Sequence, residues 1–165
     1  MFKENRGVFV TLHKNGDLFG CIGRPYPDQT LEDAVKQSAL GAAFNDPRFP
    51  PLKESDLGNV TIEVTILTKP QEINEDSKDI EDKVKIGEDG LIIEKGNKKG
   101  LLLPQVPVEQ GWSEVEFLSN TCTKAGIKPD AWLDEDVEIY KFQGSIFTEK
   151  TPNGEIVERN IDESS

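Results

Sequence analysis

Cys21 is the side chain in this sequence with the most chemistry open to it. It lies in Leu18-Phe19-Gly20-Cys21-Ile22-Gly23, where flanking glycines leave the backbone bare, so that a ligand or a second chain can come close to the sulfur. The same spacing suits tight core packing. A thiolate acts as a nucleophile near neutral pH once a base, a cation or a helix N-terminus lowers its pKa. Arg24 follows directly after the motif, and Arg48 sits in the proline-stiffened stretch Asp46-Pro47-Arg48-Phe49-Pro50-Pro51. The chain holds four arginines. Two of them placed in loops after secondary elements form a candidate fork for a carboxylate or phosphate, and a candidate means of lowering a thiol pKa. The candidate site is therefore Cys21 as nucleophile with Arg24, Asp46 and Arg48 as ligand contacts. Against it stands a structural reading, in which Cys21 is a small buried hydrophobe and Asp46 pairs with Arg48 or caps the preceding helix.

The natural base is His13, the only histidine. Asn15-Gly16 between apolar runs is a strong hairpin signal, and an ideal two-residue turn there pairs Lys14 with Asp17, His13 with Leu18 and Val10 with Cys21. Cys21 and His13 then point to opposite faces. A three-residue turn with a bulge shifts the register by one and puts Cys21 beside Thr11, on the His13 face but about two residue pairs away. Neither register predicts a direct Cys-His hydrogen bond.

These side chains must be held by the elements around them. Gly7 to His13 is apolar on both faces and predicts a central strand, with a second strand over about Asp17 to Ile22. Pro25 and Pro27 cannot continue a ladder, and Thr30 with Asp33 resembles a capping box that opens a helix running to Phe44. Ala34, Ala39, Ala42 and Ala43 allow that helix to pack closely on a sheet, and Asn45-Asp46-Pro47 ends it. Val60 to Leu67 alternates with period two, placing Val60, Ile62, Val64 and Ile66 on one face. Gln71 to Asp82 is polar and reads as a connection.

The second half repeats this order. Leu91-Ile92-Ile93-Glu94 and Leu101-Leu102-Leu103 flank a Gly96-Asn97-Lys98-Lys99-Gly100 turn, and Pro104 and Pro107 precede a helix capped by Ser113 and Glu116. Gly126 is its left-handed stop. Val137 to Phe142 and Ser145 to Thr148 follow as strands. The expected fold class is α+β, with mostly antiparallel sheets, packed helices and two related strand-strand-helix-strand units. Residues 1–149 are expected to form one domain, and residues 150–165 a polar, flexible C-terminal tail.

Other candidates are weaker. Cys122 lies in an amphipathic helix and reads as core. Gly87-Glu88-Asp89-Gly90 and the Gly96 to Gly100 stretch lack the order of phosphate loops and read as hairpin turns. The pairs Glu32-Asp33, Glu81-Asp82 and Asp134-Glu135-Asp136 diverge in direction along a strand or helix and read as solvated faces rather than a metal site. Trp112 and Trp132 flank the second helix and are expected to anchor it.

Composition narrows the function classes. A chain of 165 residues with 35% hydrophobic content can bury a real core, and its formal net charge of -12 disfavours nucleic acid as a partner. No window has the roughly 18 consecutive apolar residues of a membrane span, and the N-terminus carries no signal-like apolar region. Two cysteines far apart in sequence, with no metal spacing, predict reduced thiols and a cytoplasmic protein.

Five separated segments in order resemble the AMMECR-type domain family: Gly7 to Leu12, Leu18 to Gly23, Asp46 to Pro51, Leu103-Pro104-Gln105-Val106 and Lys124-Ala125-Gly126. The resemblance covers about residues 7–149. It implies an α+β fold and, in many members, a genomic or fusion association with Memo-like and radical-SAM proteins. It implies no established reaction and specifies no cofactor. The family signature usually has arginine where this chain has Phe19, so no basic contact is assigned to that position. The resemblance also implies an N-terminal helical segment, of which a chain beginning close to Gly7 holds little. Two function readings result: a cleft at the Gly-Cys-Ile-Gly motif that binds a small anionic ligand or substrate, with Cys21 as nucleophile, or a non-catalytic interaction module that works with Memo-like or radical-SAM partners.

Overall fold

The computed structural model describes residues 2–74, 76 and 78–160. In chain order the elements are strands β1 (Val8–Lys14) and β2 (Asp17–Arg24), helix α1 (Leu31–Phe44), strands β3 (Val60–Leu67), β4 (Gln71–Glu72), β5 (Gly90–Lys95) and β6 (Lys98–Leu102), helices α2 (Gln105–Gln110) and α3 (Glu114–Lys124), and strands β7 (Glu138–Phe142), β8 (Gly144–Glu149) and β9 (Ile156–Asn160). Short 3₁₀ turns cover Glu54–Asn59, Glu81–Lys83 and Ala131–Leu133. The chain divides into two compact units. Unit 1 takes residues up to Lys69 and the stretch from Gly144 on, and unit 2 is Pro70–Gln143.

Unit 1 is an antiparallel sheet in the order β2-β1-β3-β8-β9, with α1 packed on β1 and β2. Thr30 caps α1 as the sequence predicts, its hydroxyl accepting the Asp33 N–H at 3.3 Å. The buried face of α1 is small: Ala34, Ser38, Gly41, Ala42 and Ala43, with Leu31 at the start. Side chains of that size let the helix backbone come close to the sheet, where Val8, Val10 and Leu12 meet it, while Phe9, Thr11 and His13 are half-buried on the other face.

Unit 2 is an antiparallel sheet in the order β4-β7-β5-β6, carrying α3. Ser113 and Glu116 form the expected reciprocal capping box at its start, and Gly126 stops it with a φ of 82°. Its core is built from large side chains, among them Leu91, Ile93, Phe117, Leu118 and Trp132. The Trp132 indole N–H donates to the Ser119 hydroxyl at 3.3 Å, and Trp112 packs on the same cluster, so both tryptophans anchor α3 as expected. Cys122 is fully buried there, and burial pushes its thiol pKa up to about 11.

The α+β class and the repeated order hold. In each unit a hairpin leads through a helix to a strand that pairs antiparallel with the first strand of the hairpin, giving β2-β1-β3 and β6-β5-β7. Three local expectations are corrected. Pro104 and Pro107 do not merely precede a helix: they sit at the N-cap and in the first turn of α2, where a missing N–H costs nothing. Gly87 to Gly90 is a turn leading into β5 rather than a hairpin, its amides returning to the Lys85 carbonyl. The expected tail from residue 150 is in part ordered. A turn with Asn153 at φ 57° reverses the chain, and β9 pairs with β8 from Ser145 opposite Asn160 to Glu149 opposite Ile156. The rest of that tail, residues 161–165, lies outside the described residues. Among the described residues no helix is long and apolar enough to cross a membrane.

Candidate functional site

The signature segment lies on β2, an edge strand. The Asn15-Gly16 turn has two residues, with Lys14 opposite Asp17 and His13 opposite Leu18. The ladder then shifts at Phe19, so Gly20 faces Leu12, Cys21 faces Thr11 and Ile22 faces Val10. The register of an ideal hairpin, with Cys21 opposite Val10, is thereby corrected. The turn is ideal, and the extra residue sits one position beyond Leu18, which puts Phe19 against the helix-side cluster of Leu12, Ala42, Ala43 and Val60. Cys21 consequently shares a sheet face with Thr11 and His13, and His13 lies two residues further along β1, opposite Leu18 and Thr61.

The glycines around Cys21 do not open a path to its sulfur. A Cβ on Gly20 would lie 2.1 Å from the Ala42 carbonyl oxygen of α1, and one on Gly23 would lie 2.2 Å from the Phe9 ring. Each absent side chain is replaced by a packed neighbour. The thiol is half-buried and accepts the Thr11 hydroxyl at 3.2 Å.

Because β2 is an edge strand, the peptide groups on its outer side need partners that no neighbouring strand supplies. At Cys21 the loop after α1 supplies them. Asn45 closes the helix on the Gly41 carbonyl, Pro47 biases Asp46 away from helical geometry, and Leu52 returns to the Ala43 carbonyl. The loop therefore lies along the edge at Cys21. The Cys21 N–H donates to Asp46 Oδ2 at 3.0 Å, and Arg48 Nη2 donates to the Cys21 carbonyl at 3.4 Å. Arg48 also grips Asp46 with two side-chain bonds, Nε to Oδ1 at 3.0 Å and Nη2 to Oδ2 at 2.7 Å, and its own amide reaches Oδ1 at 3.1 Å.

Asp46 thus accepts four hydrogen bonds, the full capacity of a carboxylate. It is 5% exposed, and the Arg48 side chain, followed by the Cys21 amide, holds its carboxyl well below the usual carboxylate range. The Arg48 pKa is raised in turn by the same carboxylate. Such a group stays ionised at every physiological pH and has no lone pair left for a substrate proton.

The structure brings Cys21, Asp46 and Arg48 together and leaves Arg24 apart. Arg24 is exposed at the end of β2, on the same face as Gly20 and Ile22, opposite to that of Cys21. Arg48 retains the two N–H groups of Nη1 and a side chain that is 57% exposed. Beside it a second arrangement was not anticipated. The Phe19 and Phe49 rings meet at 6.3 Å, Lys14 lies 5.3 Å over Phe19, and Arg48 lies 5.3 Å over Phe49. Lys14 is fixed by Asp56 at 2.7 Å, and this pair, with the Lys53 amide, holds the Asp56 pKa down. Phe19 and Phe49 belong to two separate motifs of the sequence, and only the bulge brings their rings together. Among the described residues no group of three or more His, Cys, Asp or Glu side chains is placed to hold a metal ion.

Comparison with known proteins agrees with this architecture. The AMMECR1 family model matches residues 1–147. A Methanosarcina mazei protein is 52% identical over 161 residues, covering 98% of this chain and 80% of its own length. A Methanocaldococcus jannaschii protein is 49% identical over 164 residues, covering 98% and 82%. The crystal structure of an uncharacterised protein from Pyrococcus horikoshii superimposes with a TM-score of 0.77 at 48% identity, over 96% of this chain and 81% of that one. In fold, in the order of its motifs and across nearly its whole length, this chain belongs to the AMMECR1 family.

Proposed function

We propose that this protein is a non-catalytic interaction module that acts with a Memo-like or radical-SAM partner, and that its signature segment is the frame of the module rather than its reactive centre. The observation that carries this reading is the closure of Asp46 and Arg48 on the Cys21 peptide, with Ala42 and Phe9 filling the space beside both glycines. Two of the groups a small-molecule site would need are engaged by the fold itself. The test is calorimetric titration of the protein with a recombinant Memo-like protein and, separately, a radical-SAM protein from one genome. A saturable complex that survives Cys21→Ala supports the module, and loss of binding to both overturns it.

One observation favours the second reading, a cysteine nucleophile acting on a small anionic ligand. The Cys21 sulfur is only half-buried, and the Thr11 hydroxyl reaches it at 3.2 Å. Reactivity of Cys21 toward a thiol reagent across pH, in a Cys122→Ala background, separates the two. An apparent pKa well under the free value of about 8.5 favours the nucleophile. Reaction only on unfolding removes it.

A further inference from the structure

We propose that the turn of the β5–β6 hairpin forms, with the exit of α3, a binding site for a small molecule bearing one phosphate or carboxylate group. This goes beyond the interaction-module reading and does not depend on it. The cleft there has a volume of about 890 Å³, within the ~300–1,000 Å³ of small-molecule sites. One wall is the turn Lys95-Gly96-Asn97-Lys98. The other is Gly126-Ile127-Lys128, with Ala131, Asp134 and Asp136 completing the lining.

The charge of this cleft departs from that of its surroundings. Residues 70–143 carry seventeen carboxylates against nine lysines and no arginine, yet three of those lysines, Lys95, Lys98 and Lys128, line this one cleft. Of the three, Lys95 alone has a carboxylate partner among the described residues, Asp136 at 3.6 Å. Lys98 is steered by the Gly126 carbonyl at 3.5 Å, a neutral acceptor that leaves its charge unspent, and Lys128 has no ion-pair partner among the described residues. An ammonium group has three donors, so Lys98 can keep the carbonyl and still bind an anion. Covering that carbonyl also offsets the partial negative charge of a helix C-terminus, which would otherwise repel one.

The rest of the cleft sets the ligand class. Gly96 and Gly126 have φ of 61° and 82°, and a Cβ on either would meet nothing within 4 Å, so the rim is bare backbone with room beside it. Ala131 and the half-buried Ile127 give an apolar patch for the uncharged part of a ligand. Asp134 lines the same cleft with no cation paired to it among the described residues, which penalises polyanions. A single anionic group on a compact molecule fits; a nucleic-acid backbone does not.

The test is an amide ¹H–¹⁵N titration of the full chain with inorganic phosphate and, in a second arm, acetate, against sodium chloride at equal ionic strength. Saturable shifts at Gly96 to Lys98 and Gly126 to Lys128 are expected. Phosphate alone assigns a phosphate ligand, and acetate as well assigns the broader carboxylate class. The double variant Lys98→Gln, Lys128→Gln should weaken binding at least about tenfold, and Asp134→Asn should tighten it. Shifts that chloride reproduces, that do not saturate, or that persist unchanged in a folded double variant overturn the site. Both lysines are exposed, so the variants test binding rather than folding.

Discussion

The two units share a topology and differ in how the chain leaves their helices. In each, the C-terminal end of the helix rests on a glycine in the second hairpin strand: Gly20 under the Ala42 carbonyl, and Gly100 under Lys124 and Ala125, where a Cβ would lie 2.5 Å from the Ala125 nitrogen. Beyond that shared contact they part. In unit 1 the chain leaving α1 turns back along the edge strand and closes on it through Asp46 and Arg48. In unit 2 the chain leaving α3 turns at Gly126 and leaves the cleft beside the hairpin open. The family signature thus marks the closed end, and the open end carries none of its residues except Gly126. A conspicuous motif in a common scaffold can record how the scaffold is held shut.

Their cores differ in the same direction. Unit 2 packs large side chains in one cluster, whereas unit 1 has small residues on its helix and two smaller clusters. The largest expected effect is therefore in unit 2: Phe117→Ala should cost about 3–5 kcal/mol in urea denaturation, against about 2 kcal/mol for Leu31→Ala in unit 1. Equal losses would break the contrast. Next come the glycines. Gly20→Ala and Gly100→Ala both drive a methyl group into backbone and should each cost about 1–3 kcal/mol. A loss at one position only would break the equivalence of the two helix seats.

Asp46→Asn tests the closure itself. The folded pKa of Asp46 lies below its ordinary value of 3.8, so its contribution is fully present above that value and is lost as pH falls toward the folded pKa. The variant should be less stable than the parent at pH 7, and the gap should narrow in urea titrations below about pH 4. A gap independent of pH would show that the carboxylate charge does not hold the loop. The smallest effect belongs to the open end: Lys98→Gln with Lys128→Gln should change stability by no more than about 0.5 kcal/mol by the same measurement. A larger loss would mean that these lysines hold the fold together.

Local signals in the sequence are strong where a few neighbouring residues decide the geometry. Asn15-Gly16, Thr30 with Asp33, and Ser113 with Glu116 each mark an element boundary that the structure keeps, because turn and cap chemistry act within four residues. A bulge that sets Cys21 beside Thr11 is among the registers the sequence allows, but its place at Phe19 rather than in the turn is not visible, since it depends on how Phe19 packs between Lys14, Phe49 and the α1 cluster. The strand β9 is masked by a polar composition that alone reads as tail, and only the free edge of β8 selects it. For the candidate site, the spacing pointed to Cys21, Asp46 and Arg48, which do meet. The pairing of Asp46 with Arg48 is legible from their spacing, whereas their contact with the Cys21 peptide group is not, because no pattern of residue types encodes a backbone partner. Arg24 failed to join them because alternation on β2 turns it to the helix side.

Unit 2 is inserted between two strands that are partners, since Leu67 at the end of β3 lies opposite Gly144 at the start of β8. The sheet of unit 1 therefore waits for its last two strands until the whole inserted segment has been synthesised. An unstructured loop of that length adds closure entropy before the pairing can form, whereas prior folding of unit 2 from its own local hairpin and helix shortens the effective loop. Closing β3 on β8 therefore costs less once the inserted segment is compact. Because the points of entry and exit are adjacent, replacing residues 70–143 by a short turn would leave the ladder of unit 1 with an ordinary hairpin in place of its longest connection.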